Sequence, residues 1–209
     1  MTTFALLDLM IRGGSLSLLA LWMLDLLRDH RAQLAARGGT VGIEYMDAPV
    51  SGGVAGAQRG TLAVMAAGSA DGFARVKPLL ERFAKTVFHV GPAGTGSLAK
   101  LVNNQIFLCT SVLIQEGFVL AAKAGMDANA LKQILDVSSA GIFTRKAGFM
   151  LSRDFDQALF KLAIAQKDVG VALASAAALG VDMPATIAAH TVYAAASRGG
   201  LATISFLRR

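Results

Sequence analysis

The stretch DAPVSGGVAGAQRGTLAVMAAG, residues 47–68, sets a serine and a glycine pair just behind Pro49 and then returns to an apolar run. TLAVMA, residues 61–66, has the length and composition of a strand. Upstream, VGIEYMDAP is a short β-prone run closed by Pro49. Downstream, Ser69, Ala70 and Asp71 cap a helix expected to run through ARVKPLLERFAK, and TVFHV is a further strand. The order strand, loop, strand, helix, strand is the tail of an α/β unit. Two readings of SGG stand side by side. The glycines can simply make a tight turn. They can also form a nest of backbone N–H groups closing on a carboxylate, with the Ser51 hydroxyl added and no Cβ in the way.

Beyond that unit the pattern becomes helical. GPAGTG opens a segment over residues 97–124 without proline, predicting a helix ~40 Å long at ~1.5 Å per residue. Asp127 caps a helix through Leu135, and Ser138 or Ser139 begins another through Met150. Asp156 precedes an alanine-rich helix from about residue 157 to Leu179, closed by Gly180, and Pro184 starts a last one ended by Arg198, Gly199 and Gly200. The second half is therefore expected to be all-helical. Residues 1–40 also read as helix, broken at Arg12, Gly13 and Gly14. Their most apolar part, SLSLLALWMLDLL at 15–27, is interrupted by Asp25 and falls short of the ~20 apolar residues of a spanning helix. Its flanking charges do not follow the order of a signal peptide. It reads as a buried or partner-facing helix, and no membrane anchor is expected.

The chain's 209 residues suit one large domain or two small ones, and with 54% hydrophobic and 16% charged residues a core is easily formed. The net charge of +6 comes from scattered Lys and Arg with few aromatics between them, so no nucleic-acid stripe emerges. A single cysteine, Cys109, rules out an internal disulfide and reads as a core residue in a reducing, cytoplasmic compartment. His30, His89 and His190 lie far apart without ligand spacing, so no metal site is expected.

Two further segments carry polar groups on apolar helices. In GTGSLAKLVNNQ, Gly96, Lys100 and Asn104 recur every four residues and share one face. An ammonium and a carboxamide one turn apart, among Leu, Val, Ile and Phe, can serve a ligand. Equally, Lys100 can snorkel to solvent while Asn103 or Asn104 caps a neighbour. In QKDVGVAL, Lys167 and Asp168 project about 100° apart on a helix and call for separate partners, unless they form a plain surface pair.

Taken in order and spacing, DAPVSGGVAGAQRGTL, GTGSLAKLVNN and FKLAIAQKDVGVALASAAALGVDMP resemble the β-hydroxyacid dehydrogenases, the family of 3-hydroxyisobutyrate dehydrogenase and tartronate semialdehyde reductase. The resemblance spans residues 35–198. It implies a mixed α/β remnant of a Rossmann-type domain over residues 1–93. An all-α domain like the C-terminal domain of 6-phosphogluconate dehydrogenase would follow over 94–209. It further implies that Ser51, Gly52 and Gly53 bind the substrate carboxylate, that Lys100 is the catalytic acid/base and that Asn104 holds the substrate. Lys167 would lie near the nicotinamide cofactor, NAD or NADP, with Asp168 supporting that region.

The implied reaction interconverts a small 3-hydroxy acid and its semialdehyde or oxo acid. A lysine suits the hydroxyl proton if burial and nearby charge bring its pKa toward working pH. Imine reductases share the scaffold but generally lack a lysine at this helix position, so Lys100 argues for alcohol and carbonyl chemistry. The sequence has no G-x-G-x-x-G, the motif with which the family opens. The expectation is thus a family chain without most of its nucleotide-binding domain. The alternative is a catalytically inactive helical oligomerisation module. In either case the resemblance implies a homodimer or homotetramer built through the helical domain.

Overall fold

A computed structural model describes residues 44–141, 160–201 and 205–207. The helices expected over residues 1–40, the part beyond Gly141 of the one expected to run from Ser138 or Ser139 through Met150, and the start of the one expected from residue 157 lie outside the described residues. The chain divides into two compact units, Met1–Asn103 with Gly170–Val181, and Asn104–Val169 with Asp182–Arg209.

In the first unit the opening stretch folds back on itself. β1 (Val50–Ser51) pairs antiparallel with β2 (Leu62–Ala66), placing Val50 opposite Val64 and Ser51 opposite Ala63. β2 pairs parallel with β3 (Ala84–His89), giving the order β1-β2-β3. Ahead of β1, an isolated bridge joins Asp47 to Ala67, with both backbone N–H groups donating, at 3.1 and 2.8 Å. Alternate residues of β2 face inward, so Leu62, Val64 and Ala66 are buried with Ala84, and Met46, Phe73, Leu80 and Val87 pack around them.

The loop expected between β1 and β2 contains a short helix, α1 (Gly53–Gln58). Gly52 turns the chain into it with φ 133°, and Gly56 N–H closes its first turn on Gly52 O at 3.0 Å. The crossover from β2 to β3 is α2 (Ala70–Leu80), capped as expected by Ser69, whose Oγ accepts from Gly72 N at 3.0 Å. It ends earlier than the helical pattern suggested. Pro78 already removes one backbone donor from its last turn, and Ala84 is drawn into the sheet opposite Leu62.

α3 (Thr95–Lys123) runs for 29 residues, and its part from Asn104 onward belongs to the second unit. There Leu108 and Val112 pack with Ala165 and Val169 of α5 (Leu162–Ala178) and with Ala189 and Tyr193 of α6 (Pro184–Ala196). The Tyr193 hydroxyl donates to Leu108 O at 2.9 Å, and Gln105 Nε2 donates to Thr186 Oγ1 at 2.8 Å. These polar groups thus find partners inside the helical packing. α4 (Ala128–Val137) is capped by Asp127, whose Oδ1 accepts from Ala130 N at 2.8 Å.

The second half is not wholly helical. β4 (Phe160–Lys161) pairs antiparallel with β5 (Ser205–Leu207), and α5 starts only at Leu162. Local periodicity does not register a pairing between segments so distant in sequence. Among the described residues one helix, α3, is long and apolar enough to cross a membrane by length and composition. Gln115 and Glu116 interrupt its apolar run, where such groups are costly in a bilayer, and Leu108 and Val112 pack against α5 and α6.

Candidate functional site

Ser51 ends β1, half-buried, and the two glycines that follow both take positive φ, which other residues rarely adopt. Gly52 has φ 133° and Gly53 φ 62°. A Cβ at Gly52 would also stand 3.0 Å from Leu62 Cδ2. Glycine is therefore required by the backbone at 52 and favoured by it at 53. The turn leads into α1, whose first N–H groups have no acceptor within the helix.

The start of α3 is fixed from the sheet. Asp47 is buried at 8% exposure, its Oδ1 accepting from Gly94 N at 2.5 Å and its Oδ2 from Ser97 N at 2.7 Å. Sequence reading assigned this carboxylate no part, because a cap supplied from some fifty positions upstream leaves no local signature. Lys100 follows one turn later on α3, with its side chain half-buried and engaged in contacts of its own.

In the second unit three of the expected residues meet. Asn104 Nδ2 donates to Asp168 Oδ2 at 3.0 Å, and Lys167 Nζ pairs with Asp168 Oδ1 at 2.7 Å. The Asp168 side chain is 15% exposed and that of Lys167 is 63% exposed. Of the two readings of this dipeptide, the mutual pair is the one present, and Asp168 takes Asn104 as well. The long lysine stem folds back onto its neighbour, while the second carboxylate oxygen takes the amide from α3. Ser51, Gly52, Gly53 and Lys100 belong to the first unit and Asn104, Lys167 and Asp168 to the second.

An open cleft of about 390 Å³ lies elsewhere in the first unit, lined by Tyr45, Gly68, Ser69, His89, Gly91, Pro92 and Ala93. It contains none of the expected site residues. His89 is fixed there by stacking on Phe73, centroids 4.7 Å apart, and by Nε2 at 3.0 Å from Gly68 O. Among the described residues no group of three or more His, Cys, Asp or Glu is arranged to hold a metal ion.

Two family models match the chain. Residues 94–205 match the NAD-binding domain of NADP-dependent 3-hydroxyisobutyrate dehydrogenase, and residues 26–91 the NAD binding domain of 6-phosphogluconate dehydrogenase. The second match reaches upstream of residue 35, where the resemblance read from the sequence began. The chain is 34% identical over 163 residues to 2-(hydroxymethyl)glutarate dehydrogenase of Eubacterium barkeri, covering 77% of this chain and 54% of that protein. It is 37% identical over 163 residues to 2-hydroxy-3-oxopropionate reductase of Escherichia coli, covering 77% and 56%. Among solved structures, Mycobacterium tuberculosis 3-hydroxyisobutyrate dehydrogenase with L-serine superposes with a TM-score of 0.74 at 31% identity, covering 84% of this chain and 63% of that one. The Salmonella typhimurium 3-hydroxyisobutyrate dehydrogenase gives 0.75 at 26% identity, covering 84% and 62%. The chain spans just over half the length of the curated relatives it matches.

Proposed function

The chain belongs to the β-hydroxyacid dehydrogenase family, and on that footing we propose that it takes part in NAD- or NADP-dependent interconversion of a small 3-hydroxy acid with its semialdehyde or oxo acid. The observation that carries the reading is the Asp168 carboxylate, which holds the Asn104 amide and the Lys167 ammonium at once. Residues assigned to substrate and to cofactor thereby share one anchor.

The donor set suits an anionic nucleotide. Lys167 places an ammonium on a largely exposed side chain, paired at Nζ with Asp168 at 2.7 Å, and a cation is the group such a ligand needs. When bound, the nicotinamide cofactor supplies the hydride acceptor or donor. This chain's residues do the rest. The 51–53 turn receives the substrate carboxylate, with backbone N–H groups and the Ser51 hydroxyl as donors. Asn104, tied through its amide nitrogen to Asp168, holds the substrate's position without taking part in the proton transfer. The Lys100 amine removes the hydroxyl proton in oxidation and returns it to the alkoxide in reduction.

The test combines calorimetric titration of NAD and NADP with a panel of short 3-hydroxy acids, following the absorbance of reduced nicotinamide. Binding of one cofactor and its reduction by at least one acid are expected. Neither binding nor turnover would contradict the reading.

The helical unit also supports self-association into a homodimer or homotetramer. Ile106, Leu113 and Leu120 recur every seven residues along α3 with 54%, 67% and 73% exposure, forming an apolar stripe. Light scattering that finds only monomer at micromolar concentration would oppose this.

A further inference from the structure

The DAPVSGG motif begins with a carboxylate that a substrate turn does not require. Asp47 is held in the sheet by both hydrogen bonds of its bridge with Ala67. With its side chain it grips the first turn of α3, one oxygen on Gly94 N and the other on Ser97 N. Ser51 lies four residues further along the same strand segment, and Lys100 three residues beyond Ser97 along the helix. A single buried side chain therefore links the segment that leads to the glycine turn with the helix that carries the lysine.

Two features make that link stiff. The helix N-terminus carries partial positive charge, which favours a carboxylate over a neutral group. Gly96 allows the approach, since a Cβ there would collide with the Met65 carbonyl oxygen and stand 3.0 Å from Asp47 Oδ2. An asparagine at 47 offers a single acceptor oxygen and turns an N–H2 donor against the other backbone donor.

We infer that Asp47 is a positioning residue that sets where the Lys100 amine lies relative to the 51–53 turn, with Gly96 as its steric complement. The inference rests on the roles proposed above for Lys100 and that turn. Asp47 touches no reacting atom; it acts through the placement of α3.

The test uses Asp47→Asn and Gly96→Ala in the full chain, two variants that disturb the same junction in different ways. Turnover at saturating 3-hydroxy acid is expected to fall about tenfold or more, with KM within about threefold, because misplacement of ~1 Å penalises the chemical step. Independently of activity, peptide mass spectrometry follows acetylation of the Lys100 amine by a small anhydride, as a ratio to Lys123 at the far end of α3. That ratio, read on variants that circular dichroism shows to be folded, is expected to change about threefold or more in each. Unchanged turnover and an unchanged ratio in a folded variant would overturn the inference. If Asp47→Asn does not fold, Gly96→Ala decides. If the wild-type chain shows no turnover, the proposed function fails and the acetylation ratio alone decides the role of Asp47.

Discussion

Asn104 on α3 and Asp168 on α5, 64 positions apart in sequence, are joined by an amide-to-carboxylate hydrogen bond of 3.0 Å. The same carboxylate holds Lys167 at 2.7 Å. Asp168→Ala removes both supports. A hydrogen bond to a charged group contributes about 1.5–3 kcal/mol, so cofactor affinity and substrate KM should each weaken about tenfold or more. Calorimetry and initial rates measure the two separately. Loss of one with the other untouched would separate the two roles assigned to this carboxylate.

Lys100 is the proton-transferring group of the proposed reaction. Lys100→Ala should lower turnover by about 10²–10⁴-fold, the usual share of acid–base catalysis. Circular dichroism should stay unchanged, since the lysine is half-buried and outside both hydrophobic clusters. Wild-type rates from this variant would remove Lys100 from the mechanism.

Gly52→Ala meets two obstacles, the φ of 133° and the approach to Leu62 Cδ2. Positive-φ strain of this kind costs about 1–3 kcal/mol. The midpoint of urea denaturation should fall accordingly, and carboxylate binding should weaken with the displaced turn. Gly53 has open space beside it, so Gly53→Ala should be the milder change, bearing the backbone strain alone.

Burial raises the pKa of Tyr193 above the ordinary phenol value, with the Cys109 charge adding to the effect. The folded state thus keeps a proton that the unfolded chain loses above pH ~10. Stability is unaffected by this group below that pH and should fall as pH rises beyond it. Tyr193→Phe should cost about 0.5–1.5 kcal/mol at neutral pH through the lost bond to Leu108 O. The alkaline loss should be weaker in that variant. Denaturation series across the alkaline range in both proteins check the sign.

Much of this was legible in the sequence because its signals are local. Ser69 and Asp127 cap the helices that they precede, and the apolar run at 62–66 is β2. The spacing of Gly96, Lys100 and Asn104 falls on one continuous helix. What escaped is held by contacts between distant segments. β4 exists only through its pairing with β5, and Asp47 caps α3 from across the sheet. Spacing left the Lys167–Asp168 pair open beside separate partners, because it fixes where side chains leave the backbone, not where a long flexible one ends.

The central claim is that the Lys100 amine and the 51–53 turn hold the same small acid. A crystal structure with NAD or NADP and a short 3-hydroxy acid tests it most directly. The account predicts the ligand carboxylate on Ser51, Gly52 and Gly53, with its hydroxyl in hydrogen-bond reach of Lys100 Nζ. An acid bound elsewhere, with that amine directed into open water, would contradict it.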